Sequence, residues 1–162
     1  MTWFLRNWGD VAHALGEHVA ISLTALAIAF ALSLGIGIAA ARRARVYAAV
    51  MTVSGFLYTI PTLAFLAFLI PLVGLGRTNA IITMVAFSLM ILIRSVATGI
   101  REVPADVIDA ARGMGMSSAQ IMRRIELPLA LPLIVAGLRV SAVTVISAPW
   151  WRPMSTRAGW AR

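Results

Sequence analysis

This sequence contains no cysteine and no lysine, and charged residues make up only 12% of its 162 positions. Without cysteine the chain has no disulfide framework, thiolate metal ligand or thiol nucleophile. A soluble domain usually carries about a quarter charged residues, so this chain lacks the polar surface that a soluble fold needs. Its composition is instead 60% hydrophobic, with a mean hydropathy of +0.90. These values predict an integral membrane protein.

The sequence motifs of catalysis and cofactor binding are also missing. The chain has no Gly-x4-Gly-Lys-Ser/Thr phosphate loop, and Gly113-Met-Gly115 lacks the third glycine of a dinucleotide site. His13 and His18 have a spacing that places them on different helix faces, so we expect no bound metal. No Ser/His/Asp site or carboxylate pair is indicated. The arginines are not interleaved with aromatic residues, which argues against nucleic acid as a partner.

Four apolar runs are long enough to cross a bilayer, which takes about 20 mostly apolar residues. They cover residues 19–41, 46–73, 80–100 and 127–149, and prolines interrupt the second run. We therefore predict an all-α integral membrane fold with about four transmembrane helices. Residues 1–18 are expected to form an N-terminal segment outside the cytoplasm, and residues 148–162 form an atypical tail.

Arginines determine the predicted orientation of the chain. Seven of them lie between the first and second runs or between the third and fourth: Arg42, Arg43, Arg45, Arg101, Arg112, Arg123 and Arg124. The opposite side of the membrane would hold only Arg6 and Arg77. Because arginine-rich loops stay in the cytoplasm, we expect these two loops inside and the N-terminus outside.

Polar residues within the apolar runs are candidates for a solute pathway. Ser54, Tyr58 and Thr62 recur every fourth residue and would share one face of a continuous helix. Either this face lines a pathway, or neighbouring helices satisfy a kink at Pro61. Arg139 lies inside the fourth run, where it either pairs within the packing or serves the pathway. A stripe of small residues in the first run should pack against another helix of the same chain; it consists of Ala27, Ala31, Gly35 and Ala39.

One long polar stretch, residues 101–126, separates the third and fourth runs. A first short helix is predicted to begin near Pro104, because proline suits the first turn of a helix. It should end at Gly113 and Gly115, since glycine commonly follows the last turn. The stretch therefore starts with a helix and a tight turn.

A second short helix is predicted to open at Ser117, because Gln120 completes the spacing of a capping box. Pro128 should end it, since proline disfavours helix at the residue before it. Met114 and Met116, beside the turn, are flexible and polarizable groups suited to filling a partner's groove. The helix-turn-helix is either a docking surface or a solvated loop whose apolar face lies on the membrane.

This stretch resembles the EAA motif of binding-protein-dependent ABC importer permeases. That motif reads Glu-Ala-Ala, three residues, Gly, nine residues, then Ile-x-Leu-Pro. The matching positions are Asp109, Ala110, Ala111, Gly115, Ile125, Leu127 and Pro128, with Asp109 in place of the glutamate. The resemblance implies a type I permease core over residues 19–147, incomplete at its end. It also implies that the loop, including Met114 and Met116, couples to an ATPase subunit.

Other stretches resemble the glycine betaine/carnitine/choline, or osmoprotectant, branch of this family. They are residues 15–18, 59–64, 68–76 and 136–139. The resemblance implies an importer in a bacterial cytoplasmic membrane, in which a partner ATPase, not this chain, uses ATP and Mg²⁺. A second permease copy or paralogue and an extracytoplasmic solute-binding protein would complete it. The alternative is a non-transporting protein: a truncated product, or an assembly partner that only docks onto an ATPase.

The last fifteen residues depart from the resemblance. The family places a turn of the type Gly-Ala-Gly-Gly-Leu-Gly and a further span there, whereas residues 148–162 hold three of the five tryptophans. One choice of GC-rich codons for these residues, read two nucleotides on, gives Ala-Gly-Gly-Leu-Gly. We therefore hypothesise a frameshift and expect impaired transport. The alternative is a genuine short tail whose Trp150 and Trp151 lie at the membrane interface.

Overall fold

A computed structural model describes residues 8–147, and all the secondary-structure elements assigned in this range are helices. The elements are α1 (Trp8–Arg42), α2 (Ala44–Thr59), α3 (Thr62–Val73), α4 (Arg77–Arg101), α5 (Ala105–Gly113), α6 (Ser118–Ile121), a π-helical turn (Met122–Glu126) and α7 (Leu127–Ile146). Three helices are long and apolar enough to cross a membrane, namely Val11–Arg42, Arg77–Arg101 and Ser118–Ile146, and the bent pair α2 and α3 would make a fourth. The predicted all-α membrane fold is confirmed, while the frameshifted or interfacial tail lies outside the described residues.

Helices α1 and α4 run in the same direction and pack closely along their length. Ile21 shares a buried cluster with Ala80 near one end of the pair, and Gly37 meets Val96 toward the other. A Cβ atom at Gly37 would lie 2.6 Å from Val96 Cβ, which is closer than real carbon atoms approach. The two helices can therefore pack at this distance only because Gly37 has no side chain.

Helix α7 packs against α4 in the opposite direction. Ala130 lies against Gly99, Gly137 lies against Ser95, and Val145 belongs to the cluster at the far end of the bundle. The bundle thus has a loop end, where α1 and α4 end and α7 begins, and an opposite end where α7 ends.

The small residues that α1 buries are not those predicted from its sequence. Small side chains occupy every odd position from Ala25 to Ala39, so α1 carries two stripes with a spacing of four residues. The stripe containing Ala25, Ala29, Ser33 and Gly37 is buried. The predicted stripe, Ala27, Ala31, Gly35 and Ala39, is exposed, and its expected packing within the chain is wrong. The register of α1 against α4 determines which of the two stripes is buried, and residue spacing alone does not predict that register.

The second apolar run is broken instead of continuous. Helix α2 ends at Thr59, α3 begins at Thr62, and the two axes are bent by 96°. Pro61 supplies no backbone N–H, and it keeps Ile60 in an extended conformation with φ −78° and ψ 123°. Thr62 therefore starts a new helix, and the prediction that it shares one helix face with Ser54 and Tyr58 is wrong.

A buried asparagine holds the far side of this break. Asn79, near the start of α4, is 1% exposed. Its side-chain amide donates hydrogen bonds to Leu66 O at 3.2 Å and to Gly74 O at 3.0 Å. These bonds satisfy an amide that would otherwise be costly to bury in an apolar environment. Asn79 thereby fixes α3 and the following turn against α4.

Candidate coupling loop and solute groove

The end of α5 is a hydrogen-bonded turn that requires glycine. Gly115 N–H donates to Arg112 O at 2.9 Å, and Met116 N–H donates to Ala111 O at 3.1 Å. This pair of bonds is the Schellman motif, which closes a helix with a residue in the left-handed conformation. Gly115 occupies that position with φ +80°, where any other residue is strained. The predicted helix end is confirmed, with Gly113 as the last residue of α5.

The second loop helix opens with the predicted capping box. Ser117 N–H donates to Gln120 Oε1 at 2.8 Å, and Gln120 N–H donates to Ser117 Oγ at 3.4 Å. Together the two bonds satisfy backbone donors that the first turn leaves without helical partners. The segment joining α5 to α6 is therefore held by backbone hydrogen bonds of the Schellman turn on one side and of the capping box on the other.

The second loop helix does not end at Pro128. It continues through the π-helical turn into α7, so that Ser118–Ile146 is one helix of 29 residues. The prediction of a stop at Pro128 is wrong, because this proline lies in the first turn of α7. In the preceding turn, Leu127 N–H donates to Met122 O, five residues back. A widened turn of this kind lets a helix continue where the regular pattern is interrupted.

An ion pair ties the loop to α1. Arg42 Nη2 donates to Glu126 Oε2 at 3.0 Å, and Glu126 is only 8% exposed. A carboxylate this buried needs a partner, since an unpaired charge away from water is costly. From the sequence, Arg42 indicated only the orientation of the chain, and Glu126 had no predicted role. The available signal was that Glu126 is the single acidic residue after Asp109.

The nine residues predicted to couple to an ATPase differ in exposure. The exposed ones are Asp109, Ala110, Met114, Gly115 and Pro128; Met116, Ile125 and Leu127 are half-buried, and Ala111 is fully buried. Met114 is 74% exposed and stands beside the Schellman turn. The Asp109 carboxylate accepts a hydrogen bond from Arg112 at 3.1 Å on the surface of α5. Apart from the buried Ala111, residues 109–115 form an exposed tip, and most of the side chains at the base of the loop are more buried.

A groove of about 370 Å³ lies at the break between α2 and α3. Its side chains come from four helices and include Tyr58, Thr62, Thr83, Phe87, Ser88 and Thr144. Two of the predicted pathway residues, Tyr58 and Thr62, thus meet at one groove although they belong to different helices.

The other two predicted pathway residues lie elsewhere: Ser54 is lower on α2, and Arg139 is on the exposed face of α7. Thr83, Phe87, Ser88 and Thr144 were missed. For the two threonines and the serine the usable signal was a hydroxyl group inside an apolar run, whereas Phe87 offered no polar signal.

Comparison with known proteins agrees with this architecture. Residues 19–148 match the family described as binding-protein-dependent transport system inner membrane component. The chain belongs to that family, which supplies the membrane component of ABC importers and not their ATPase.

Individual relatives and a solved structure extend the match. The chain is 33% identical, over 98% of its length and 72% of the relative's, to the glycine betaine/carnitine/choline transport system permease protein OpuCB of Bacillus subtilis (strain 168). It is 35% identical, with the same coverage, to the carnitine transport permease protein OpuCB of Listeria monocytogenes. Its fold matches a chain of the inward-facing MetNI methionine ABC transporter with a TM-score of 0.74 at 23% identity, covering 84% of this chain and 69% of that one. The permease family and the permease fold expected from the sequence are both confirmed.

Proposed function

We propose that this chain is the permease subunit of an ATP-driven importer for osmoprotectants such as glycine betaine and choline. The solute class comes from the relatives, whose names include glycine betaine, carnitine and choline. The observation that carries the coupling role is the loop tip, which is exposed but held on a firm base. The Schellman turn fixes the shape of the tip, and the capping box and the ion pair of Arg42 with Glu126 restrain the base.

A restrained tip suits the transmission of force better than a flexible one. An ATPase subunit that binds Met114 and the surrounding tip would move the base with it, because the base is bonded to α1 and continuous with α7. Methionine is flexible and polarizable, so it adapts to the cleft of a partner. ATP and Mg²⁺ belong to that partner in this proposal. A second permease subunit and an extracytoplasmic binding protein complete the importer.

The proposed orientation places the loop end in the cytoplasm and the N-terminus outside. Arg101 and Arg42 lie at the loop end together with the exposed Arg123 and Arg124 of the π-helical turn. Positive charge of this density favours the cytoplasmic side. The groove with Tyr58 and Thr62 then lies toward the outer side, where a binding protein delivers solute.

From the groove, Ser54 would continue a pathway along α2 toward the cytoplasm. Within residues 8–147, Arg139 makes no hydrogen bond or ion pair that supports the role of a pathway residue.

Single cysteines test this arrangement cleanly, because the chain has no cysteine of its own. Met114→Cys marks the loop tip, exposed Arg43→Cys marks the other cytoplasmic loop, and exposed Leu75→Cys marks the turn after α3. In intact cells a membrane-impermeant maleimide should label only Leu75→Cys. In inside-out vesicles the co-produced ATPase should protect Met114→Cys at least about tenfold more than the matched control Arg43→Cys.

Equal protection of Met114→Cys and Arg43→Cys would contradict docking through the loop tip. Labelling of Met114→Cys in intact cells would contradict the orientation. Uptake of labelled choline by cells that produce this chain with its ATPase and binding protein separates transport from docking alone. Docking without uptake would favour the non-transporting assembly partner over the permease.

A further inference from the structure

The groove at the break between α2 and α3 combines aromatic rings with a lack of formal charge. The rings of Tyr58 and Phe87 line it, with their centroids 5.8 Å apart and their planes inclined at 57°. Phe65 packs edge-on against Phe87 at 5.7 Å, which restrains the orientation of that ring. Among the described residues that line the groove, none is charged. Two aromatic rings beside a groove without a carboxylate provide a site that attracts a weakly hydrated cation.

One hydroxyl group in the groove is buried without a hydrogen bond. Ser88 is 2% exposed, and within the described part of the chain its Oγ has no partner. The neighbouring threonines differ, because Thr83 Oγ1 donates to Asn79 O and Thr144 Oγ1 donates to Val140 O, each at 2.9 Å. A buried polar group without a partner is unfavourable, so Ser88 is poised to bind a polar atom of a ligand.

The absence of charge at this groove discriminates between kinds of cation. A primary ammonium carries three N–H donors, and none of the described lining residues offers a carboxylate to accept them. A quaternary ammonium has no N–H donor at all, so aromatic faces are sufficient to stabilise it. The groove volume of about 370 Å³ lies within the usual range for small-molecule sites.

We propose that this groove is a binding site on the permease for a small quaternary ammonium solute. The trimethylammonium group lies against Tyr58 and Phe87, and the hydroxyl or carboxylate at the other end of the solute accepts a hydrogen bond from Ser88. The inference rests on the proposed function for the direction of transport, but the site is defined by the geometry of this chain. With no opposite charge in the groove, the solute is held weakly enough to move on.

Direct binding to the full chain in lipid nanodiscs tests the site. Radiolabelled choline is the probe, and tetramethylammonium and 3,3-dimethylbutan-1-ol are the competitors. The alcohol matches choline in shape but has carbon in place of the charged nitrogen. Tetramethylammonium should displace choline, while the alcohol should be at least about tenfold weaker, since only a cation is attracted to the ring faces. Equal competition by both would overturn the proposal, because the groove would then be a simple apolar pocket.

Variants locate the site within the chain. Tyr58→Leu and Phe87→Leu should each weaken choline binding at least about fivefold, whereas Tyr58→Phe keeps the ring and should retain most of it. The matched control is Phe56→Leu, because Phe56 lies on the same helix, is 72% exposed and does not line the groove. Ser88→Ala should weaken choline binding but leave tetramethylammonium binding unchanged. A loss in Phe56→Leu as large as in Tyr58→Leu, with all variants unfolding at the wild-type temperature, would place the site elsewhere.

The failure of this binding site and the failure of the proposed function give different experimental results. If the full chain does not bind choline but the ATPase still protects Met114→Cys, the proposed binding site is refuted and the proposed permease function remains. Conversely, charge-selective binding at Tyr58 and Phe87 without protection of Met114→Cys would keep the site and remove the ATPase-coupled role.

Discussion

At the loop end, hydrogen bonds between residues close in sequence decide the shape: Met116 N–H reaches Ala111 O, and Gln120 N–H reaches Ser117 Oγ. At the groove, contacts between distant parts of the chain decide it, as in the bond from Asn79 to Leu66 O and the packing of Phe87 on Tyr58. The difference implies that substitutions in the loop should act locally. Substitutions around the groove should instead change how whole helices pack.

The largest expected effect comes from Gly37→Ala, which lies between the two regions and should disturb both. The added carbon would meet Val96 Cβ and Cγ1 at 2.6 Å, and a β-branched side chain has no freedom to move aside. We expect a loss of about 1–3 kcal/mol in the free energy of unfolding, as for other overpacked cores. Thermal unfolding in detergent, followed by circular dichroism, measures it.

Gly35→Ala is the matched control for this substitution. Gly35 is exposed on the same helix, and in the part of the chain that the structure describes no atom lies within 4 Å of a Cβ added there. Its unfolding temperature should equal or exceed that of the wild type, since alanine favours helix. Equal destabilisation by Gly35→Ala and Gly37→Ala would contradict the close crossing of α1 and α4.

A smaller effect, restricted to the groove region, is expected from Asn79→Ala. Leu66 O and Gly74 O would lose their hydrogen-bond donor. We expect about 1–2 kcal/mol of destabilisation, because each carbonyl keeps a further lone pair for other partners. Labelling of Leu75→Cys should become faster in the same background, since the turn after α3 loses its anchor. Exposed Thr78→Ala is the control, and a comparable change there would show that the amide bonds are unimportant.

The smallest effect is expected from Gly115→Ala in the loop. Alanine at φ +80° is strained by about 1 kcal/mol. The Schellman turn should loosen, and protection of Met114→Cys by the ATPase should fall several-fold with little change in the unfolding temperature of the bundle. Gly113→Ala is the control, because Gly113 is helical and a Cβ there meets nothing. If Gly115→Ala left the protection of Met114→Cys unchanged, the Schellman turn would not be required for docking of the ATPase.

The same contrast explains which features were accessible from the sequence. The Schellman glycine Gly115 and the capping box of Ser117 and Gln120 were predictable, because their signals lie within a few residues of each other. The four-residue spacing from Tyr58 to Thr62 predicts a shared face only if the helix is continuous. The break at Pro61 places the two residues on different helices.

The remaining features depend on tertiary structure. The buried stripe of α1 was ambiguous, because small residues fill every odd position and only the register with α4 distinguishes the two faces. The pair of Arg42 and Glu126 joins residues 84 positions apart, and no local pattern contains that information. The groove needs the same long-range register, so its aromatic and hydroxyl residues were only partly identified.

The continuity of the helix from Ser118 to Ile146 has a mechanical meaning. Because Gln120 at the loop belongs to the same helix as Thr144 and Val145, which line the groove, we expect a movement imposed on the loop to reach the groove. The π-helical turn over Met122–Glu126 and Pro132 within α7 are two irregular points that can absorb part of such a movement, and Arg42 pairs with Glu126 in that turn. A partner that binds the loop is therefore connected to the wall of the groove by one helix, and no chain of side-chain contacts is needed between them.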